Sequence, residues 1–510
     1  MDTYIASNNK VIVVFVHGWS VSNLNTYGEL PLCLMDEAKK EGITITIREI
    51  FLGRYISFHD EVKLGDIYRA FNTAVKDQLA DILKDGSRFI CITHSTGGPV
   101  IRDWVSTYYV NESIMCPMSH LIMLAPANYG SALAQLGKGR VGRLKSWFEG
   151  KEPGQGVLDW LELGSNGAWQ LNMKWIQEGE KKINAEQFFP FVITGQSIDR
   201  KLYDALNTYT GEIGSDGVVR VAAANLHSRY IKLVQPKPKK NKNGELTTDD
   251  FIIEEYKEAP STPLRIISRK SHSGPDMGIM ASIRRNSKEN KETIQAILEC
   301  IKVNNKEDYI SIYNKFVNET EAVQERELVE IEKRLLLSDR VFIHDKFSMV
   351  IFKVNDSANQ PVNDFDLLFT AGENSDPNHL PPGFASDRQR NRNHPKTITY
   401  FFNYNIINGA KSVKDPLSKK VYRKKIDGID LLGLIVNPRP DKGFVRYIPC
   451  KIDAKSELLE KAFIPNGTTM IEICMQRLVD KEVFRLEQLT NNKMPELDFK
   501  DIEPTDQIVE

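Results

Sequence analysis

The chain has 510 residues, with 67 Lys and Arg against 68 Asp and Glu, and a formal net charge of −1. That length predicts about two to four domains, and 41% hydrophobic residues excludes a disordered chain. A balanced charge supplies no general field for nucleic acid or an anionic membrane, so no nucleic-acid partner is expected and any attraction to lipid must be local.

The first apolar run, Val11 to Val16, is far shorter than the roughly 20 residues of a membrane span. It ends in His17-Gly18-Trp19 without a signal-peptide cleavage pattern, so it reads as a buried strand of a chain made in the cytoplasm without a cleavable signal. Further short apolar runs follow at Ile43–Ile47, Phe89–Ile92, Leu121–Leu124, Phe188–Ile193 and Leu264–Ile267, separated by helical patterns such as Asp66–Leu83. Strands joined by crossover helices imply an α/β domain with a parallel sheet, closed by the helical pattern Thr293–Val303. This gives a first domain over residues 1–303, with a Lys-rich flexible insertion at 235–250. The charged stretch Lys306–Leu337, with Ile310, Tyr313, Phe316 and Val317 at helical spacing, reads as a helical linker over 304–337. Alternating segments at Met349–Val354, Phe365–Phe369, Thr397–Tyr404, Leu431–Val436 and Thr468–Met475 predict a C-terminal, mainly antiparallel β-sandwich over 338–490. An acidic flexible tail, 491–510, follows. All six tryptophans fall between Trp19 and Trp175, which argues for two separately built cores. The six cysteines form no CxxC pair, so neither a zinc ribbon nor a disulfide framework is signalled.

The segment Arg88 to Trp104 carries the chemistry. An apolar strand runs into Thr93-His94-Ser95-Thr96-Gly97, and a helical pattern with Val100 and Trp104 follows without a conventional loop. Small residues there permit a strained strand-to-helix turn that lifts Ser95 above the sheet at a helix N-terminus. Thr93 replaces the glycine that usually opens such a nucleophile elbow. Val16-His17-Gly18-Trp19-Ser20 follows the first strand, and the backbone N–H groups of Trp19 and Thr96 could converge on an acyl oxyanion. Leu121 to Ser131 reads as a third strand-and-turn beside the site. Together these segments resemble an α/β-hydrolase of the lipase and esterase superfamily over about residues 10–303.

The resemblance implies a Ser–His–acid triad with the acid and then the histidine later in the chain. Ser215-Asp216-Gly217-Val218-Val219 looks like the acid-bearing loop, with Asp199 as the alternative. Among nine histidines, His272 lies in a Gly/Pro loop between a strand and the last helix of the domain, where the superfamily presents its imidazole; His227 is the alternative. The implied reaction is acyl transfer to water through an acyl-enzyme. It requires no cofactor or metal, although a structural Ca²⁺ on a carboxylate loop stays open.

Residues 131–179 are inserted between two core strands, where such enzymes carry a helical cap. Leu144, Trp147 and Phe148 form the candidate lipid-facing surface, flanked by Lys138, Arg140, Arg143 and Lys145; packing of the cap onto the core is the competing account. A hydrolase with such a cap, no signal peptide and an appended β-rich domain is similar to phospholipase effectors of type VI secretion. That resemblance implies an acyl-ester substrate such as a glycerophospholipid, peripheral contact with a membrane, delivery to a target cell as a toxin, an immunity protein and a component of the secretion apparatus as partners. A soluble carboxylesterase or amidase is the second reading, and a protein that binds through its β-rich domain is the third. Arg388, Arg390 and Arg392 in that domain suit either a phosphate grip or a solvated hairpin.

Overall fold

The computed structural model describes residues 10–17, 26–57, 59–84, 86–109, 115–137, 154–185, 187–199, 212–285, 291–332, 339–415 and 419–480. The chain begins with β1 (Lys10–His17), α1 (Leu30–Lys40), β2 (Thr44–Phe51), α2 (Leu64–Gln78), β3 (Phe89–His94), α3 (Gly97–Tyr109), β4 (Met118–Leu124), α4 (Asn166–Ala185) and β5 (Phe189–Thr194). After an excursion through β6 (Ser228–Val234) and β7 (Ile252–Glu258) it returns as β8 (Leu264–Ile266), then α5 (Lys291–Ile301) and α6 (Lys306–Arg326). Strands of the first sheet stand in the order β8-β5-β4-β3-β1-β2, every pair parallel. Helices cover both faces of such a sheet, which is why its central strands are continuous apolar runs and not alternating ones. Ile90, Cys91 and Ile92 of β3 and Leu121 to Leu124 of β4 are accordingly buried. On the elbow helix, Val100, Ile101, Trp104 and Val105 make the inward face of α3, with Trp104 edge-on to Phe71 of α2.

The stretch expected to link two domains instead belongs to the first layer. Asn305 caps α6 by accepting the Asp308 N–H, and Tyr309, Phe316, Thr320 and Val323 are buried. The Thr320 hydroxyl accepts the Ile266 N–H at 3.1 Å and donates to the Leu264 carbonyl at 3.1 Å, so α6 closes the otherwise open edge at β8. Ile310 and Val317, which the apolar spacing puts inward, are exposed. The buried stripe is rotated because Tyr309 and Thr320 carry hydroxyls that find backbone partners in the core.

The remaining strands are β9 (Phe347–Asp356), β10 (Phe365–Ala371), β11 (Ala385–Arg390), β12 (Thr397–Asn403), β13 (Leu432–Pro438), β14 (Cys450–Lys455) and β15 (Gly467–Met475). They build a sandwich, but a mixed one. The larger sheet runs β11-β12-β9-β15-β6-β7, and its β9–β15 and β15–β6 pairs are parallel. Two of its six strands, β6 and β7, thus come from within residues 1–303. A smaller antiparallel sheet, β10-β13-β14, packs over it around Phe352, Phe369, Tyr400 and Phe402, together with Ile231 and Leu233 of β6. Residues 235–250 connect β6 to β7 and contain a short antiparallel pair, Lys239–Lys240 with Leu246–Thr247.

Of the expected cap, residues 131–137 and 154–179 are described. Trp169, Leu171, Trp175 and Ile176 of α4 are buried, and Asn172 accepts from Arg102 of α3 at 3.0 Å. α4 is therefore a core helix packed on the elbow helix, and those rings belong to its packing face. Arg390 is likewise committed, donating to the carbonyls of Asn363, Phe365 and Pro395 while lying over the Phe365 ring. Among the described residues no helix is long and apolar enough to cross a membrane.

Candidate active site

β3 delivers the chain to Ser95, whose φ of +54° lies in the left-handed region that non-glycine residues rarely adopt. The strain is held by three backbone bonds. The Ser95 N–H donates to the Leu124 carbonyl at 3.0 Å, and the Ser95 carbonyl accepts from Gly98 at 3.1 Å and Ala127 at 3.2 Å. The departure from a leading glycine has a local answer: a Cβ on Gly97 would fall 1.9 Å from Thr93 Oγ1. Thr93 fits because Gly97 leaves that volume empty.

Between β5 and β6 the chain makes a tight turn closed by pairing of Ser215 with Arg220. Asp216 sits inside it, fully buried, and its Oδ1 accepts the N–H groups of Val218 at 3.0 Å and Val219 at 2.8 Å. That leaves Oδ2 for the His272 Nδ1, 2.9 Å away. A carboxylate at Nδ1 fixes the proton of the neutral ring there, so Nε2 turns its lone pair to Ser95 Oγ at 3.0 Å. His272 is further held by its own N–H, which donates to the Asp216 carbonyl at 2.9 Å. The three side chains selected from the sequence, 121 and 56 residues apart along the chain, are thus brought into one hydrogen-bonded line.

Other candidates fall elsewhere. Asp199 is buried just beyond β5, and His227 stands at the start of β6 with its N–H on Asn225. The Ser95 hydroxyl and the Asp216 carboxylate instead meet His272. Thr96 is buried at the head of α3, and among the described residues its N–H has no hydrogen-bond partner. Trp19, Leu144, Trp147 and Phe148 lie outside the described residues. His17 packs face-on against Phe51 and edge-on against Tyr27, with Nε2 3.4 Å from Glu49; burial pushes its pKa down.

Two contributors escape a reading for triad members. His94, adjacent to Ser95, places Nε2 3.1 Å from the His272 carbonyl, with the two rings 4.7 Å apart. Desolvation of the half-buried ring, with the neighbouring imidazole adding to it, drives its pKa well below the ordinary histidine range. Neutral His94 can therefore brace the His272 backbone as a donor. The other is Arg220, at the end of the Asp216 turn, whose guanidinium is 1% exposed and bound to Glu212 and Asp387. Nothing local in the sequence marks it, because its partner on β11 lies 167 residues away.

No protein-family model matches the chain, and no curated protein is matched by it. Among solved structures, phospholipase PlaB from Legionella pneumophila is 42% identical, with a TM-score of 0.81 over 95% of this chain and 98% of that one. The same enzyme in complex with thio-NAD is 40% identical, with a TM-score of 0.78 over the same shares. The chain belongs to the PlaB family, among the lipases and esterases of the α/β-hydrolase superfamily. As a PlaB-family member it is a hydrolase of the lipase and esterase type. Because the likeness covers 95% of the chain, the β-rich sheets are within the shared PlaB-family architecture.

Proposed function

We propose that this chain hydrolyses acyl esters of glycerophospholipids, with Ser95 as nucleophile, His272 as general base and acid, and Asp216 as the carboxylate that orients the imidazole. The observation that carries the reading is the 3.0 Å and 2.9 Å relay from Ser95 through His272 to Asp216, in a chain 42% identical to a phospholipase. In this reading Ser95 Oγ attacks the ester carbonyl carbon while His272 Nε2 takes its proton. The tetrahedral intermediate collapses, the C–O bond to the glycerol breaks, and His272 protonates the departing alkoxide. Water, deprotonated by the same Nε2, then attacks the acyl-enzyme and releases a fatty acid. Negative charge on the carbonyl oxygen is met by the Thr96 N–H at the head of α3 and by the Trp19 N–H. Each donor of that kind contributes about 3–4 kcal/mol to the transition state. Leu144, Trp147 and Phe148 are assigned to contact with the lipid surface.

The resemblance to type VI secretion effectors rests on a lipid-facing cap, the lack of a signal-peptide pattern and an appended β-rich domain. PlaB has the same layout along 98% of its length, so layout does not favour an effector over any other PlaB-family enzyme.

The test is to incubate the full chain with mixed phospholipid vesicles and follow the products by mass spectrometry. Free fatty acid and lysophospholipid should accumulate with wild type and be absent with Ser95→Ala. Rapid cleavage of a short soluble ester without any product from vesicles would overturn the phospholipid assignment in favour of a carboxylesterase.

A further inference from the structure

Among the described residues no Lys or Arg side chain touches the Asp216 carboxylate: its oxygens are taken by two backbone N–H groups and His272. Its position therefore depends on the shape of the turn. The second sheet bears on that shape from four strands. A Cβ on Gly214, at φ +81°, would lie 2.5 Å from the Phe347 ring of β9, so the turn rests against that ring. Thr468 of β15 donates its hydroxyl to the Ala222 carbonyl at 2.8 Å. Arg220, which closes the turn opposite Ser215, gives Nε and Nη2 to the two oxygens of Glu212 at 2.8 Å each. Its Nη2 also bonds Asp387 on β11, and the guanidinium lies 4.2 Å over the Phe401 ring of β12. Glu212 precedes the acid, Arg220 follows it, and Asp387 belongs to the β-rich part.

A buried ion pair is a weak source of stability, because desolvating the charges consumes most of the attraction. What a planar guanidinium fork supplies better than apolar packing is direction. We propose that Arg220, tied to Glu212 and Asp387, is a positioning residue that fixes the Asp216 turn through the edge strand of the second sheet. The β-rich part is then a component of the catalytic apparatus. The inference rests on the reading of Asp216 as the catalytic acid and adds what holds it.

The test uses the full-length chain and a short soluble ester. Asp387→Asn, Arg220→Lys and Asp216→Asn are compared singly, and Asp387→Asn is repeated in the Asp216→Asn background. Competent sites are counted by end-point labelling with a fluorophosphonate, so that loss of folded protein is separated from loss of turnover. A misplacement on the order of 1 Å costs up to roughly 100-fold in rate, so kcat per labelled site should fall roughly 10- to 100-fold in Asp387→Asn and in Arg220→Lys. KM should stay within about twofold, since the clamp touches no substrate. Because the clamp acts through Asp216, Asp387→Asn should change kcat less than about twofold once Asp216 is already Asn. Wild-type kcat per labelled site in Asp387→Asn, or the same fold-loss in both backgrounds, would overturn the proposal and leave Arg220 a structural staple. If Arg220→Lys does not fold, Asp387→Asn, which keeps the Arg220–Glu212 pair, decides alone. Wild-type turnover in Asp216→Asn would instead refute the triad reading, an outcome distinct from failure of the clamp.

Discussion

The elbow offers a sharp steric test, because Thr93 and Gly97 share one volume. In Gly97→Ala the new Cβ meets Thr93 Oγ1 at 1.9 Å and Thr93 Cβ at 3.2 Å. Against a carbon contact distance of roughly 3.5–4.0 Å, the first approach is short by about 1.6–2.1 Å. Either Thr93 leaves its rotamer or the elbow moves by more than 1 Å. Overpacking of this kind costs about 1–3 kcal/mol in stability, and the displacement of Ser95 should lower kcat on a soluble ester by up to roughly 100-fold. Thr93→Ala removes the hydroxyl and methyl, leaving the 3.2 Å Cβ contact, which a shift of a few tenths of an ångström relieves. Thr93 Oγ1 has no hydrogen-bond partner among the described residues, so Thr93→Ala alone forfeits little. The double variant should therefore regain most of the lost stability and turnover, with a coupling of about 1–2 kcal/mol in urea melts. Strictly additive effects in both assays would refute the account of why this elbow tolerates threonine.

Ser95→Ala should lower turnover by on the order of 10⁴-fold or more while leaving the urea midpoint near wild type, since Ser95 is not part of the apolar core. Asp216→Asn and His272→Ala should be comparably impaired, with Asp199→Asn and His227→Ala retaining turnover; the reverse pattern in steady-state assays would reassign the acid or the base. Acid stability is set in part by His120, fully buried, whose Nε2–H donates to the Val303 carbonyl at 2.7 Å and whose pKa burial pushes down to about 3. Unfolding lets that imidazole take a proton below about pH 6.5, so its contribution is complete above that value and is lost as pH falls toward 3, at about 1.4 kcal/mol per pH unit. His94, with its pKa lowered in the same direction, adds to the slope. Urea melts between pH 7 and 4 should show it, and a flatter slope in His120→Gln is the expected signature.

How much of this was legible in the sequence followed the range of the interactions involved. β1, β3, β4 and β5 are buried on both faces, so each appears as an uninterrupted apolar run. The elbow is a local motif, Asp216 sits in a turn marked by Gly214 and Gly217, and His272 sits in a loop marked by Gly274 and Pro275. β6 gave no such signal of its sheet. Its sequence SRYIKLV alternates moderately, and what decides its place is pairing with β15, some 240 residues later. The change of texture near residue 341 suggested a boundary, yet the second sheet borrows β6 and β7 from before it. Arg220 was illegible for the same reason. A single arginine after an Asp-Gly turn signals nothing until Asp387 and Phe401 arrive from the other sheet.

The shared strands bear on how the two halves depend on each other. The chain leaves the first sheet after β5, makes the acid turn, contributes β6 and β7 to the second sheet, and returns as β8. A segment ending at residue 303 would leave β6 without β15, uncovering Ile231 and Leu233, both fully buried here. It would also remove α6 and open the β8 edge that Thr320 closes. Burying a side chain such as Ile231 or Leu233 contributes roughly 1.5–3 kcal/mol, a sizeable part of the about 5–15 kcal/mol that separates folded from unfolded domains. The same cut would take away Phe347, Asp387, Phe401 and Thr468, through which the second sheet meets the turn around Asp216 and its flanks. The turn that carries Asp216 is therefore held between two sheets, and if Asp216 is the catalytic acid as proposed, loss of the sandwich should cost turnover as well as stability.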